Sequence, residues 1–308
     1  MEAGNQTRVR ARARMSEPRR LQSEDLRQQA LASIRAEDFE TALALYDEAL
    51  ALASDDERRE LITINKADAL IAMERSGPEV QALPSILMRR RNVHHTFLAG
   101  YALMYKHRLA NETKRAIFYG QIALDAAAEA DEAFWKLAAL NDLGIVYEID
   151  SQFHQAIDCF EQALTLLSTL EDHSQQNFSR VAIFQNLGYN KLLIGQTTDG
   201  IAMIEGVLDA IQVPSSLSDS YIDLCYGYLD LLQFDKAREF GEKGLAMASE
   251  PRQLRNAHYL LGEVAYKSGD MDAAENHFEE LARFYPQFRS LKRLLFTIDL
   301  RSMLNLKL

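Results

Sequence analysis

The sequence has few of the residues that interrupt helices. Its 308 residues include only 14 glycines and 6 prolines, too few for a chain rich in turns and strands. Alternating runs of valine, isoleucine and threonine are missing, whereas alanine, leucine, glutamate and arginine are frequent. The sequence therefore predicts an all-α protein.

Cysteines and long apolar runs are also scarce. Cys159 and Cys225 are the two cysteines and form no paired-cysteine motif. Both fall where a helix is expected to face the core, so we expect buried thiols in a reducing compartment. No apolar run is long enough to span a membrane, and none follows the N-terminal arginines as in a secretory signal. We expect a cytoplasmic protein with no membrane partner.

Motifs for catalysis and metal binding are missing from the sequence. There is no glycine-rich phosphate loop, no Gly-x-Ser-x-Gly elbow and no His-Glu-x-x-His pair. Of the seven histidines only His94 and His95 are adjacent, and neighbours in sequence point to different faces of a helix. Asp270 and Asp272 resemble the start of a calcium loop, but its glycine and final glutamate are missing. We predict no enzyme activity, no metal site and no cofactor.

The net charge of −11 is unevenly distributed. Residues 1–20 carry six arginines and two glutamates, a balance of +4, so the remainder carries −15. An acidic body argues against nucleic acid as a partner, because phosphate contacts need a basic face. The basic start is either a nucleic-acid tail, a disordered leader or sequence ahead of a true start at Met15. We favour the latter two and expect residues 1–22 to be unstructured.

The strongest positive signal lies between Leu140 and Leu164. Apolar residues there recur at steps of three or four and pause at Asp150 and Ser151, which predicts two short packed helices. The pattern consists of Leu143, Gly144, Tyr147, Phe153, Ala156, Phe160 and Ala163. It resembles the tetratricopeptide repeat, a helix–turn–helix unit with a leucine-glycine pair, a tyrosine, and spaced alanine and phenylalanine.

The same pattern recurs along most of the chain. Residues at the Gly144 position are separated by 37, 37, 40, 44, 37 and 37 positions. They are Ala30, Ala67, Met104, Gly144, Gly188, Cys225 and Gly262. The resemblance implies a right-handed α-solenoid of about seven units over residues 23–286. We expect residues 287–308 to form a capping helix over the last unit, with a dimerisation helix and a homo-oligomer as the alternative.

The second unit departs most from the pattern because it contains Pro78 and Pro84. A proline inside a helix costs about 3 kcal/mol or more. We therefore expect an irregular bend followed by a short helix toward Arg90, with Pro84 in its first turn.

The resemblance also implies a binding face. In the tetratricopeptide family the first helices of successive units line a concave face that holds a peptide. Positions three before, one after and four after the aligned small residue share one helix face. Taken from this face, with Asn186 one residue along, the predicted binding residues are Tyr101, Tyr105, Arg108, Asn141, Ile145, Gln185, Asn186, Tyr189, Tyr226, Tyr259, Glu263 and Tyr266.

Tyrosine dominates this face, with six of the twelve tyrosines in the chain. Tyrosine is favoured in recognition surfaces because it combines a large apolar ring with a hydrogen-bonding tip. The alternative is that these rings fill space between helices. Asn141, Gln185 and Asn186 could hydrogen-bond a peptide backbone, but no lysine lies beside them to clamp a terminal carboxylate. Nearby acids suit a neutral or basic segment better.

We therefore expect a scaffold or adaptor that binds a peptide or protein segment in its groove, and no nucleic acid. The alternative is a ligand- or peptide-sensing regulator that acts through a partner, because units of similar length occur in bacterial peptide-pheromone receptors.

Overall fold

A computed structural model describes the backbone of residues 2–170, 173–287 and 290–299, and the side chains of residues 18–170, 180–287 and 290–299. Within these ranges the regular elements are fifteen α-helices and one 3₁₀ turn at Leu208–Ala210, which confirms the all-α prediction. The helices are α1 (Glu2–Arg35), α2 (Phe39–Leu52), α3 (Asp56–Ala72), α4 (Pro78–Arg89), α5 (Val93–Leu109), α6 (Thr113–Glu129), α7 (Ala133–Ile149), α8 (Phe153–Leu167), α9 (His173–Leu193), α10 (Thr197–Glu205), α11 (Pro214–Asp230), α12 (Phe234–Met247), α13 (Pro251–Ser268), α14 (Met271–Arg283) and α15 (Leu291–Leu295).

The chain forms two compact units, residues 1–139 and residues 140–308, with the boundary inside α7. Unit 1 contains three helical hairpins, α1–α2, α3–α4 and α5–α6, followed by the first residues of α7. Unit 2 contains the rest of α7 with α8, then the hairpins α9–α10, α11–α12 and α13–α14, and finally α15. The predicted array of seven tetratricopeptide-like hairpins is confirmed.

Each hairpin turns in the same way. The residue seven positions after the aligned small residue has a left-handed backbone, with φ between 54° and 88°. The next N–H donates to the carbonyl oxygen five positions before it, at 2.8–2.9 Å, which is the Schellman closure of a helix end. The left-handed residues are Glu37, Glu74, Asn111, Ser151, Gly195, Leu232 and Gly269. This constant offset supports the sequence alignment of all seven units independently of the apolar pattern.

The glycines of the leucine-glycine pairs bring the two helices of a hairpin together. A Cβ placed on Gly144 would lie 2.7 Å from the ring of Phe160 on α8. A Cβ on Gly262 would overlap the ring of Phe278 on α14. Because real Cβ atoms do not approach other atoms so closely, the phenylalanine of the second helix requires a residue without a side chain on the first.

The N-terminal prediction needs correction. The backbone is helical from Glu2, so α1 begins inside the segment 1–22 that we expected to be unstructured. Residues 2–22 lack an apolar period, which led us to expect no structure. They are nevertheless rich in alanine, arginine, glutamine and glutamate, whose helix propensities are high without any packed face.

The second repeat also differs from the prediction. Pro78, not Pro84, occupies the first turn of α4, and Pro84 lies inside the helix. Pro84 is exposed, so the carbonyl that loses its intrahelical partner can bond to water instead.

Residues 287 and 290–299 are the described part of the predicted C-terminal cap. Its helix α15 has five residues, and Leu295 is buried against the last hairpin. The ring of Phe296 packs edge-on against Phe278 and Tyr266, with centroids 5.1 and 5.5 Å apart. The rest of the predicted cap, residues 300–308, lies outside the described residues.

Both thiols are buried, as predicted. Desolvation raises the pKa of Cys159 to about 11 and raises the pKa of Cys225 still further. Neither thiol is therefore ionised near neutral pH.

Candidate functional site

The first helices of unit 2 share one face, formed by α7 from residue 140 onward and by α9, α11 and α13. Glu148 on α7 and Asn190 on α9 are buried, and the Asn190 amide donates to the Glu148 carboxylate at 2.5 Å. The same amide donates to the carbonyl oxygen of Asn186 at 2.8 Å. The bond links the first helices of two successive repeats.

Similar bonds link the following helices. The amide of Gln185 on α9 donates to the hydroxyl of Ser220 on α11 at 2.7 Å. The buried amide of Gln253 on α13 donates to Asp219 at 3.1 Å and to the carbonyl oxygen of Ser215 at 2.9 Å. Arg252 adds an ion pair with Asp219 at 3.0 Å.

Unit 1 contains equivalent bonds between its own first helices. The guanidinium of Arg27 on α1 donates to Asn65 on α3 at 3.0 Å. His95 Nδ1 on α5 lies 3.0 Å from the carboxylate of Glu60 on α3. We call the set in both units the polar ladder: Arg27–Asn65, Glu60–His95, Glu148–Asn190, Gln185–Ser220, Asp219–Arg252 and Asp219–Gln253.

Sequence reasoning missed most of the polar ladder. Of its members, only Gln185 had been singled out as a binding residue. The partners are 33–42 positions apart, which is about one repeat. Pairs of polar residues separated by one repeat length were therefore the signal that could have found it.

Three predicted binding tyrosines lie inside unit 2. Tyr189, Tyr226 and Tyr259 are 0 %, 7 % and 4 % exposed and belong to one apolar core with neighbouring helices. Their burial favours the alternative we stated, that such rings fill space between helices. Tyr266 is different, because 38 % of its surface is exposed.

The other predicted residues of unit 2 vary in exposure. Asn141, Ile145, Gln185 and Asn186 are half-buried on α7 and α9. Glu263 on α13 is buried, and the ammonium of Lys267, one turn further on, lies 3.9 Å from its carboxylate.

Tyr101, Tyr105 and Arg108 belong to α5 of unit 1. Tyr101 stacks on Phe97 with ring centroids 5.6 Å apart. The guanidinium of Arg108 lies 4.9 Å from the centre of the Tyr105 ring, within the range of a cation–π contact. Each unit thus carries its own share of the predicted residues.

Two buried acceptors in unit 2 lie on α7 and α9. The side-chain oxygens of Asn141 and Asn190 are buried, and no donor reaches either of them within the described part of the chain. The amide nitrogen of Asn141 donates to Asp142 at 3.4 Å. Buried acceptors without donors are uncommon in folded proteins, so α7 and α9 present positions that an N–H group would satisfy.

The described ranges contain neither a membrane-spanning helix nor a metal-binding cluster of three or more ligands. Across the described ranges, no helix combines the length and the apolar character needed to cross a bilayer. No three or more histidine, cysteine, aspartate or glutamate side chains in those ranges are grouped to hold a metal ion.

Comparison with known proteins agrees with the repeat pattern. The tetratricopeptide-repeat family model matches residues 256–288, which contain most of α13 and all of α14. No curated protein matches the sequence.

Three solved structures share the fold at low sequence identity. The apo form of the quorum sensor NprR from B. thuringiensis is 14 % identical with a TM-score of 0.70, covering 88 % of this chain and 79 % of that one. The apo form of RapI is 14 % identical with a TM-score of 0.68, covering 92 % and 84 %. A Rap protein complexed with Competence and Sporulation Factor is 15 % identical with a TM-score of 0.61, covering 91 % and 79 %. Residues 256–288 thus match a tetratricopeptide repeat, and the chain shares its helical-repeat fold with these three structures.

Proposed function

We propose that the protein is a cytoplasmic, non-enzymatic adaptor that binds a peptide or protein segment on the first-helix face of unit 2. The observation that carries the proposal is the pair of buried side-chain oxygens of Asn141 and Asn190, which no donor reaches within the described residues. An extended segment has backbone N–H groups that can satisfy such oxygens without any requirement on its side chains.

The surrounding residues suit that role. Asn141, Ile145, Gln185 and Asn186 are half-buried, so each can contact a ligand while held by its own helix. Tyr266 offers an exposed ring further along the face. In this proposal the buried Tyr189, Tyr226 and Tyr259 shape the floor beneath the ligand, as Glu263 does on α13.

A second candidate is a peptide-sensing regulator that acts through a partner. Two of the similar folds favour it: NprR is described as a quorum sensor, and one Rap protein was solved with Competence and Sporulation Factor. Both candidates use the same face, and they differ in whether the ligand changes the protein's affinity for another protein.

The adaptor is tested by affinity purification from the native host with the variant Asn141→Ala/Ile145→Ala. These two residues lie one turn apart on α7, so the double substitution removes neighbouring side chains from one helix face. A matched control is Gln155→Ala/Gln162→Ala, which changes two exposed residues of α8. We expect a partner recovered by the wild-type and control proteins and lost from the α7 variant. Equal recovery by all three proteins would overturn the site.

The sensor is tested by thermal unfolding with pools of short peptides, since a ligand that binds only the folded state raises its stability. A peptide that raises the midpoint of the wild type but not of Asn141→Ala/Ile145→Ala, and changes partner recovery, identifies a sensor. A peptide that leaves partner recovery unchanged assigns the simpler adaptor role.

A further inference from the structure

Two histidines meet between the helices of the last hairpin. His258 on α13 and His277 on α14 place their Nδ1 atoms 3.1 Å apart, with ring centroids 5.4 Å apart and ring planes tilted by 47°. Both side chains are half-buried. They belong neither to the predicted binding residues nor to the polar ladder.

The two histidine rings are close enough to form a hydrogen bond with each other. Two Nδ1 atoms at this distance can share one proton, so one imidazole donates and the other accepts. Desolvation lowers the pKa of both histidines, and the neighbouring ring lowers that of His277 further. The neutral imidazole is the form that binds metal ions.

The separation also matches that of two ligands on one metal ion. Histidine nitrogens bind zinc at about 2.0–2.1 Å, so two of them at adjacent coordination positions lie roughly 2.9–3.4 Å apart. The observed 3.1 Å falls within that interval. We propose that His258 and His277 form a two-histidine site for a divalent transition metal of the copper, nickel or zinc class, with water at the remaining positions.

One carboxylate and two guanidinium groups surround the pair, a balance of one positive charge. Glu280, one turn after His277, lies 2.7 Å from the guanidinium of Arg283. The guanidinium of Arg255, one turn before His258, lies 6.0 Å from the centre of the Tyr285 ring. When a metal ion binds both Nδ1 atoms, the shared proton moves to Nε2 of the ring that carried it, and both rings stay neutral. The ion then meets one local ion pair and one cation directed at an aromatic ring.

The ligand set predicts selectivity. Imidazole nitrogens favour copper, nickel and zinc over magnesium and calcium, which prefer oxygen ligands. With two protein ligands, Cu²⁺ should bind most tightly of the first-row divalent ions. The bound ion would link α13 to α14 and stabilise the folded hairpin, because the pair does not preexist in the unfolded chain.

Thermal unfolding of the full chain, with its purification tag removed, tests the site. CuCl₂, NiCl₂ or ZnCl₂ in modest molar excess should raise the unfolding midpoint by about 2–4 °C, whereas MgCl₂ should not. The shift should disappear in His258→Gln and in His277→Gln, and persist in His154→Gln, which changes an exposed histidine of α8. No shift with any of the three metals, or the same shift in the two Gln variants, overturns the proposal.

Electron paramagnetic resonance of the Cu²⁺-loaded protein gives a second readout that does not depend on stability. The wild type should bind one Cu²⁺ with hyperfine coupling to two imidazole nitrogens. Each Gln variant, confirmed as folded by circular dichroism, should lose that spectrum. An unchanged spectrum in the folded variants, or a wild-type spectrum with oxygen ligands alone, would place copper elsewhere and reject the site.

Discussion

The backbone N–H of Gln233 donates to the carbonyl oxygen of Tyr228, 2.9 Å away, and closes the turn between α11 and α12. The closure holds Leu232 between them at a φ of 59°, although 63 % of the leucine surface is exposed. A left-handed backbone costs a residue such as leucine roughly 1–2 kcal/mol, whereas asparagine and glycine tolerate it. Leu232 therefore carries strain that its side chain does little to offset.

Replacing Leu232 should stabilise the protein. We expect Leu232→Asn to raise the free energy of unfolding by about 0.5–1 kcal/mol, because the strain is relieved and little packing is lost. Urea unfolding monitored by circular dichroism measures the change. The control is Leu231→Asn, at a neighbouring position with an ordinary φ of −79°. A gain from the control as large as from Leu232→Asn would mean that strain is not the cause.

A substitution at Gly262, which contacts Phe278, should instead destabilise the protein. Gly262→Ala places a methyl group against the ring, and we expect a loss of about 1–3 kcal/mol in the free energy of unfolding from overpacking. Phe278→Leu replaces the ring by a smaller side chain. The double variant should therefore lose less unfolding free energy than the sum of the losses of the two single variants. Additive losses in chemical denaturation would contradict the close contact.

The bond between Asn190 and Glu148 can be tested by a double-mutant cycle. Asn190→Ala removes a donor from a buried carboxylate, and we expect a loss of about 1–3 kcal/mol in the free energy of unfolding. In the background of Glu148→Gln the same change should cost less, because the buried group no longer carries a charge. If Asn190→Ala costs the same in both backgrounds, the two residues are not coupled.

His94 provides an optical test, because its ring stacks on that of Trp135, the only tryptophan of the chain. The ring centroids are 4.5 Å apart. Desolvation lowers the pKa of His94, electrostatic interactions with His95 and Arg27 lower it further, and Glu132 opposes them. The folded state therefore binds fewer protons at this site than the unfolded chain does. Its stabilising effect is complete above the ordinary pKa of about 6.5 and is lost as the pH falls toward the lowered value.

The intrinsic fluorescence of Trp135 should report this titration. We expect its emission to change below pH 6.5, as a cation forms over the indole face. The midpoint should lie below the ordinary histidine value. His94→Gln should flatten the profile, whereas His154→Gln, at an exposed position on α8, should leave it unchanged. A profile that survives His94→Gln would assign the titration to another group.

The repeat pattern was readable because it depends on short-range spacing. Each aligned residue, from Ala30 to Gly262, precedes a left-handed turn residue by the same seven positions. Some of the turn residues could not be recognised, since Glu37, Glu74 and Leu232 are not typical of the left-handed conformation. The geometry of the repeat imposes the left-handed conformation on these three residues.

Burial was harder to predict than position. The helical period placed Tyr189, Tyr226 and Tyr259 on one face, but their exposure depends on how closely the next helix packs, which a single repeat does not encode. The extension of α1 to Glu2 was missed for a related reason, because helix propensity alone can continue a helix that no apolar face requires.

The polar ladder has a consequence for protein engineering. A carboxylate meets an amide between α7 and α9, an amide meets a hydroxyl between α9 and α11, and an aspartate meets Gln253 and Arg252 between α11 and α13. Each contact between successive first helices thus uses a different pair of chemical groups. Repeats moved to another position, or deleted as whole hairpins, would bring unmatched groups together even though their apolar contacts were preserved. The order of the repeats is therefore encoded in the side chains that join them.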